Sequence, residues 1–294
     1  MKKLLFLLIL IFLSACKNPE IPKWYINTPK DTYTYFYASA EGYTKENAIK
    51  NALNNIASKI NVKISSNFVI NKGIHNQKTY SEIYQQINTK ISNVSFNNYE
   101  ILKTQKQDDK YYVLIKVNKQ KLIKSLKTKI NLKLRNLKFN NQSPIKKVIS
   151  AYKILNELKK IKSDIFILKS LGNNINPYVI KTEKMENKAK TIITNTKFSV
   201  KANQFQEESI EVLSRYLTIS QNSDSIISIN VTTKKLILFN NYLIKGKTSI
   251  FINKPYTIMF LGKSVSSYKE AFNFAKSEYK KRLKKLARNI FNSF

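Results

Sequence analysis

The side chains that most often perform catalysis or bind metals are scarce in this sequence. The chain has one His, His75, and one Cys, Cys16, among its 294 residues. A Cys/His zinc site needs about four such ligands and a disulfide needs two thiols, so both are excluded within one chain. His75 lies in a polar stretch with no nucleophile motif, and we interpret it as a loop residue. We interpret the adjacent acids Asp108 and Asp109 as a turn rather than a cation site.

The sequence therefore predicts no catalytic residues, no metal site and no cofactor, and it identifies no small-molecule substrate. Only five residues are Gly, which argues against a glycine-rich phosphate-binding loop. A hydrophobic content of 43% is enough for a packed core, and the length suits about two domains. The expected protein is a folded, non-enzymatic one.

The charge is strongly positive, with 52 Lys and Arg against 18 Asp and Glu and a net charge of +34. Such a balance indicates a polyanionic partner such as nucleic acid or anionic lipid. Only Arg135, Arg215, Arg282 and Arg288 are Arg, whereas nucleic-acid sites usually rely on Arg. Codons rich in A and T would also produce many Lys, Asn and Ile residues without any such partner. Both interpretations remain open on composition alone.

The amino terminus predicts export from the cytoplasm. Lys2 and Lys3 precede the apolar run 4–13, and Leu13-Ser14-Ala15-Cys16 follows. This order is typical of a secretory signal peptide over residues 1–15, and the run is too short for a standard transmembrane helix. Export would separate the chain from cytoplasmic nucleic acid, so we predict no nucleic-acid partner.

The last four residues of this segment resemble the lipobox of bacterial lipoproteins. In those proteins the Cys thiol receives a diacylglyceryl group, and cleavage leaves the lipidated Cys as the new amino terminus. The resemblance implies lipidation of Cys16, with fatty acyl chains such as palmitate, and a tether over residues 16–23. Several acyl chains on one residue give stable membrane anchoring. Lys17 rather than Asp follows the Cys, which points to the outer membrane, on either its periplasmic or its surface face.

Residues 24–118 read as an α+β domain with the order β-α-β-β-β. We predict a strand over 33–40, a break at Gly42 and a helix capped by Thr44. Apolar residues of the helix recur at helical spacing: Ala48, Ile49, Ala52, Leu53, Ile56, Ala57 and Ile60. Further strands are expected over 62–70, over 94–102 and over 111–117, with an extended stretch at 80–87 and the turn at 108–110.

The middle of the chain, 119–172, is predicted to be a helical connector, with helices over 119–137 and 143–171. The remaining region, 173–294, is predicted to be a second α+β domain. It has a helix over 178–190, strands over 191–200 and 255–261, a helix over 207–217 and a hairpin of strands 225–233 and 236–252. A long final helix capped by Ser266 or Ser267 ends this β-α-β-β-β-α order.

The final helix also holds the densest basic cluster of the sequence. Its members are Lys280, Lys281, Arg282, Lys284, Lys285 and Arg288. Cations near the carboxyl end of a helix are favourable in themselves. The functional alternative is contact with lipopolysaccharide or anionic lipid headgroups.

Residues 22–118 resemble the LPP20 lipoprotein family of Gram-negative bacteria such as Campylobacter and Helicobacter. The shared features are Pro22-Lys23-Trp24-Tyr25, a small-residue strand ending in Gly42, the Ala-patterned helix, and Val62-Lys63-Ile64-Ser65-Ser66. The resemblance implies an outer-membrane lipoprotein, with Trp24 as a core anchor and Gly42 as a turn residue. It implies no catalytic activity.

Two functions follow as hypotheses. The first is a lipid-anchored, non-enzymatic envelope protein that binds other envelope proteins or associates with itself. Some members of the family are flagellar accessory proteins, so a flagellar role is included in this hypothesis. The second is an envelope polyanion-binding module that uses the basic final helix.

Overall fold

A computed structural model describes residues 21–70 and 98–292 of the chain. The chain divides into two compact units, one within residues 1–132 and 162–175 and the other within 133–161 and 176–294. Each unit contains helices and a β-sheet, which confirms the predicted α+β class.

The first unit is built on a three-stranded antiparallel sheet with strand order β1-β3-β2. Its elements are α1 (Lys23–Ile26), β1 (Tyr35–Gly42), α2 (Lys45–Ile70), β2 (Tyr99–Gln107), β3 (Lys110–Asn118) and α3 (Lys119–Asn136). Helix α2 packs against β1 and β3. The strands β2 and β3 pair in antiparallel around the predicted turn, where Asp108 has a left-handed conformation at φ 50°. Strand β2 continues to Gln107, beyond the predicted end at 102.

The core of this unit forms where the apolar stripe of α2 meets the sheet. Its main members are Phe36, Ala38 and Ala40 from β1, Ala48, Ala52, Ile56, Ala57 and Ile60 from α2, and Val113, Ile115 and Val117 from β3. The Thr44 hydroxyl accepts a hydrogen bond from the Asn47 amide at 3.1 Å, so Thr44 caps α2 as predicted. The predicted helix face is confirmed up to Ile60.

The predicted strand over 62–70 is wrong, because α2 continues through Ile70. Val62 and Ile64 favoured a strand as β-branched residues. The sequence has no Gly or Pro from 45 to 70, so nothing interrupts a helix that has already begun. The family-like segment 62–66 is therefore helical.

The expected roles of Trp24 and Gly42 also need correction. Trp24 is only half-buried and lies outside the core cluster, whereas Pro22 is buried and the ring of Tyr25 packs against Tyr112 at 4.9 Å. Gly42 lies at the end of β1, where a Cβ would be 2.5 Å from the amide nitrogen of Ala48. Gly42 is thus required by the close approach of α2 rather than by a turn conformation.

The middle segment is helical, as predicted, with α3 followed by α4 (Pro144–Ser170). Pro144 is the first residue of its helix, where its missing N–H has no cost. The division between the two units falls inside both helices.

The second unit has a mixed five-stranded sheet with order β5-β4-β6-β7-β8. Its further elements are α5 (Asn176–Asn195), β4 (Lys197–Ala202), α6 (Gln206–Leu213), β5 (Thr218–Ile219), β6 (Ile226–Leu238), β7 (Asn241–Phe251), β8 (Pro255–Ser264) and α7 (Tyr268–Asn292). Strand β4 pairs in parallel with β5 and β6, whereas β6, β7 and β8 are antiparallel.

Several boundaries of the second unit differ from the predictions, and three of the differences are the largest. Residues 191–195 belong to α5, so β4 starts at Lys197. Helix α6 ends at Leu213 instead of 217. The hairpin turns at Phe239 and Asn240, where both residues have positive φ, and not between 233 and 236.

Candidate functional site

The candidate site is the face of α7 that carries the basic cluster, and the sequence at the start of the helix fixes its position. The Ser267 hydroxyl accepts a hydrogen bond from the Glu270 amide at 3.2 Å, which confirms Ser267 as the cap. The Ser264 hydroxyl donates to the Glu270 carboxylate, and this hydrogen bond holds the pKa of Glu270 below its usual value. These contacts join the end of β8 to the first turn of α7.

The inner face of α7 packs on β8 and β7. Ala271 and Ala275 lie against Gly262, where a Cβ would be 1.9 Å from the Ala271 carbonyl oxygen. One turn further on, Tyr279 is fully buried and its hydroxyl lies 2.7 Å from the Ser209 hydroxyl. Burial raises the pKa of Tyr279 to about 12. The inner face of α7 is therefore part of the core of the second unit.

An aromatic cluster surrounds this part of the helix. The ring of Phe205 lies 5.1 Å from Tyr279, 5.8 Å from Phe260 and 5.3 Å from Phe272, measured between ring centroids. Such pairs contribute about 0.5–1.5 kcal/mol each beyond burial. The cluster holds α7 against the sheet and leaves the opposite face of the helix to solvent.

One flank of α7 is neutralised by α6. Lys276 lies 2.6 Å from Glu208, and Lys280 forms an ion pair with Glu211. The hydrogen bond from Lys280 lowers the pKa of Glu211, and the bond to Glu208 raises the pKa of Lys276. Lys280 therefore belongs to a contact between helices of the same unit.

The outer face brings four of the six predicted residues together. Lys281, Lys284, Lys285 and Arg288 follow each other at spacings of three and four residues and are all exposed. Within the described residues, Lys284, Lys285 and Arg288 contact no carboxylate. Lys281 lies 4.0 Å from Glu278, which is bound more closely by Arg282 at 2.7 Å. We call these four residues the basic face of α7.

The structure describes only some of the other residues that the sequence singled out. Cys16, His75, the signal segment 1–15 and the extended stretch 80–87 lie outside the described residues. Asp108 and Asp109 form the β2–β3 turn, as predicted. In the described part of the chain, no three His, Cys, Asp or Glu residues are grouped as a metal site would need.

Sequence reasoning overlooked the end of the β6–β7 hairpin, where Ile237, Leu238 and Phe239 are exposed. The signal was present, because the apolar run 236–239 precedes Asn240 and Asn241, and Asn favours tight turns. The predicted strand bounds place the break at Lys234 and Lys235 instead, which lie within β6.

The comparison with protein families finds a match within the first unit. Residues 22–118 match the family described as LPP20 lipoprotein, which confirms the resemblance over that region. The match covers about a third of the chain, and a lipoprotein family suggests a membrane-associated envelope protein. None of the described helices is long and apolar enough to cross a membrane.

One solved structure is similar over most of the chain. The crystal structure of the secreted protein HP1454 from the human pathogen Helicobacter pylori has a TM-score of 0.51 and 17% sequence identity. The similarity covers 86% of this chain and 97% of that one, so the shared fold extends into the second unit. No curated protein matches the sequence.

Proposed function

We propose that this chain is an outer-membrane lipoprotein, anchored through lipid on Cys16, with a non-enzymatic structural or interaction role in the cell envelope. The observation that carries the proposal is the order of its segments. A match to a lipoprotein family over 22–118 begins six residues after Cys16, the last residue of the lipobox-like segment. Lys17 in place of Asp supports the outer membrane.

The lipid supplies the membrane attachment in this proposal. Each buried CH₂ of an acyl chain contributes about 0.8 kcal/mol, so two or more chains on Cys16 hold the protein at the bilayer. The two folded units then lie at the membrane surface, where they can bind other envelope proteins or a second copy of the chain.

Strand β2 supports the interaction role. It is an edge strand of the first sheet, and its residues from Tyr99 to Lys106 are exposed. Among the described residues, no strand pairs with its outer edge. Unpaired N–H and C=O groups on such an edge can pair with a strand of another protein or a second copy.

The anchor is tested by replacing Cys16 with Ala in cells fed labelled palmitate. The parent protein is expected to incorporate the label and to sediment with outer membranes, and C16A is expected to do neither. Ser14→Ala is the matched control, because it keeps small residues before the thiol and should still be labelled. Equal labelling of C16A would refute lipidation of Cys16.

The interaction role is tested by mild cross-linking in intact cells, followed by recovery of the tagged protein. Envelope proteins, or a second copy of the chain, should be recovered with the parent and lost with C16A. Recovery of flagellar basal-body proteins would identify the role as a flagellar accessory, and their absence would remove that role. Recovery of lipopolysaccharide without protein would favour the alternative below.

The alternative is a polyanion-binding module, and the basic face of α7 favours it. Lys281, Lys284 and Lys285 project from one side of a helix that is fixed from behind by its buried face. Phosphates of lipopolysaccharide would complement this charge, in a contact that weakens with salt.

This alternative is tested with the triple variant Lys281→Glu, Lys284→Glu and Lys285→Glu. It should lose salt-sensitive binding to lipopolysaccharide micelles. The matched control reverses Lys124, Lys181 and Lys184, which are exposed on other helices and change the net charge equally. Equal loss in both variants would mean that only net charge matters and would remove the basic face as a site.

A further inference from the structure

The β6–β7 hairpin ends in an apolar tip formed by residues 236–239. Ile237 is 64% exposed, Leu238 55% and Phe239 89%. Successive side chains of a strand point to opposite faces, so Ile237 and Leu238 lie on different faces of the hairpin. The tip is therefore apolar on both sides, unlike a sheet face that packs against one neighbour.

The turn itself is unfavourable for the residue that occupies it. Phe239 and Asn240 have φ of 44° and 55°, the left-handed conformation required by a two-residue type I′ turn. Gly and Asn adopt it readily, but a bulky side chain such as Phe does not. Because Phe239 is almost fully exposed, packing within the chain does not compensate for this conformation. A strained and exposed residue of this kind indicates a role in binding rather than in folding.

Positive charge lies directly behind the tip. Lys234 and Lys245 face each other as a cross-strand pair, and both are exposed. Like charges in this position are destabilising. The sequence from 226 to 264 contains six Lys and no Asp or Glu, so these strands supply no counter-charge. Lys235 is also exposed, with its ammonium group 5.3 Å from the ring centre of Tyr268.

We infer that the tip of the β6–β7 hairpin inserts into a lipid bilayer that carries anionic headgroups. Phe239, Leu238 and Ile237 would enter the acyl region, and Lys234 and Lys245 would meet headgroup phosphates. We choose this partner by charge complementarity, because anionic headgroups would pair with the two Lys residues. The acyl region beneath the headgroups would cover the exposed apolar tip. This contact is separate from Cys16 and from the basic face of α7.

The edge of β6 limits the depth of insertion. The pairing of β4 with β6 ends at Ile229, and the Asn203 side chain bonds the Val231 N–H and C=O at 2.7 and 2.9 Å. Beyond Val231, no described strand lies beside this edge. Unpaired backbone groups are costly in hydrocarbon. Only the tip residues therefore pass below the headgroups, and Lys234 and Lys235 stay among them.

Insertion is tested with residues 16–294, expressed without the apolar amino-terminal segment and without lipid. Phe239→Asn should lower its partition onto phosphatidylglycerol-containing vesicles roughly tenfold, because it removes one buried aromatic side chain. Asn tolerates the left-handed turn, so the variant should keep or raise the melting temperature. Phe251→Ser is the matched control, since Phe251 is 63% exposed at the opposite end of β7. It should bind like the parent.

The Lys pair gives the second test. Lys234→Ser should lower the partition about fivefold on anionic vesicles and leave weak binding to phosphatidylcholine vesicles unchanged. Equal binding by the parent and Phe239→Asn, or equal loss in Phe251→Ser, would overturn the proposal. Absence of vesicle binding by the parent would also overturn it.

Depth is measured with a Trp probe in a chain whose only native Trp, Trp24, is replaced by Phe. Emission from Phe239→Trp should shift to the blue and be quenched by brominated acyl chains. Emission from Phe251→Trp should show neither change. Quenching of both probes to the same extent would contradict insertion of the tip.

Discussion

The two units share one kind of contact between helix and sheet, but their cores differ in composition. Each places a long helix on a sheet through a glycine on a strand and alanines on the helix. A Cβ at Gly42 would lie 2.5 Å from the Ala48 amide nitrogen, and one at Gly262 would lie 2.4 Å from the Ala275 amide nitrogen. Removing side chains from both surfaces lets the backbones approach closely, so neither contact tolerates an added methyl group.

The difference lies in what surrounds these contacts. The described core cluster of the first unit is almost entirely aliphatic, with Phe36 as its one fully buried aromatic ring. The second unit instead buries Tyr279 among Phe205 and Phe260, with its hydroxyl beside Ser209. Tyr279 places a titratable group inside the second core, so the stability of that unit depends on pH. The buried members of the first core cluster are all non-titratable.

The largest expected effect is that of Gly262→Ala in the second unit. The new Cβ would collide with backbone atoms of Ala271 and Ala275, which can move only with the whole of α7. We expect a loss of about 3 kcal/mol in the free energy of unfolding, as for a strongly overpacked core. Urea unfolding followed by circular dichroism measures it, and a loss below about 1 kcal/mol would show that α7 is free to shift.

Gly42→Ala should cost about 2 kcal/mol, because its nearest contacts are slightly longer. Gly172→Ala is an informative control, since no atom lies within 4 Å of its would-be Cβ but its φ is +79°. Conformational strain alone should then cost about 1 kcal/mol. Equal effects of all three substitutions would mean that close packing is not the reason for Gly42 and Gly262.

Tyr279→Phe should cost about 1 kcal/mol at pH 7, the typical contribution of one hydrogen bond. The Ser209 hydroxyl keeps a second partner, because it donates to the Phe205 carbonyl oxygen at 2.7 Å. Thermal unfolding at neutral pH gives the value. A loss above about 3 kcal/mol would mean that the hydroxyl also supports the aromatic packing.

The same variant tests the pH dependence. The pKa of Tyr279 is raised to about 12 in the folded chain, from 10.0 for an unperturbed Tyr. The unfolded chain therefore releases this proton first, and stability falls as pH rises from about 10 to about 12. Unfolding measured across this range should show the parent losing about 2.5 kcal/mol more than Tyr279→Phe. Parallel curves would place the dependence on other groups.

The smallest expected effect is on the basic face of α7. Lys284→Ser and Lys285→Ser should change the free energy of unfolding by less than about 0.5 kcal/mol, because both side chains are exposed and contact no described carboxylate. Thermal unfolding gives the measurement. A clear rise in stability would show that repulsion among these Lys is costly, which would strengthen the case that the face is kept for a partner.

The sequence was most informative where periodicity and capping agreed. The stripe from Ala48 to Ile60, the Thr44 and Ser267 caps and the Asp108 turn were all predicted, because each depends on nearby residues. It misled where local preference and context differed. Val62 and Ile64 read as a strand although α2 continues through them, and Lys234-Lys235 read as a turn although they lie within β6.

The candidate site was predicted as a cluster but not as a surface. Sequence spacing could place Lys281, Lys284, Lys285 and Arg288 on one helix face. It could not show that Glu211 neutralises Lys280, since that carboxylate belongs to another helix 69 residues away. Nor could it show Gly42 as a packing residue, because that role depends on where α2 crosses β1.

The pairing of β1 with β3 has a consequence for the time course of folding. Tyr35 is paired with Asn118, 83 residues along the chain, whereas Leu238 is paired with Asn241 across a two-residue turn. Closing a long loop costs entropy before any contact forms, so sheets with distant partners fold slowly and local hairpins fold early. The β6–β8 meander can therefore form before β1 pairs with β3.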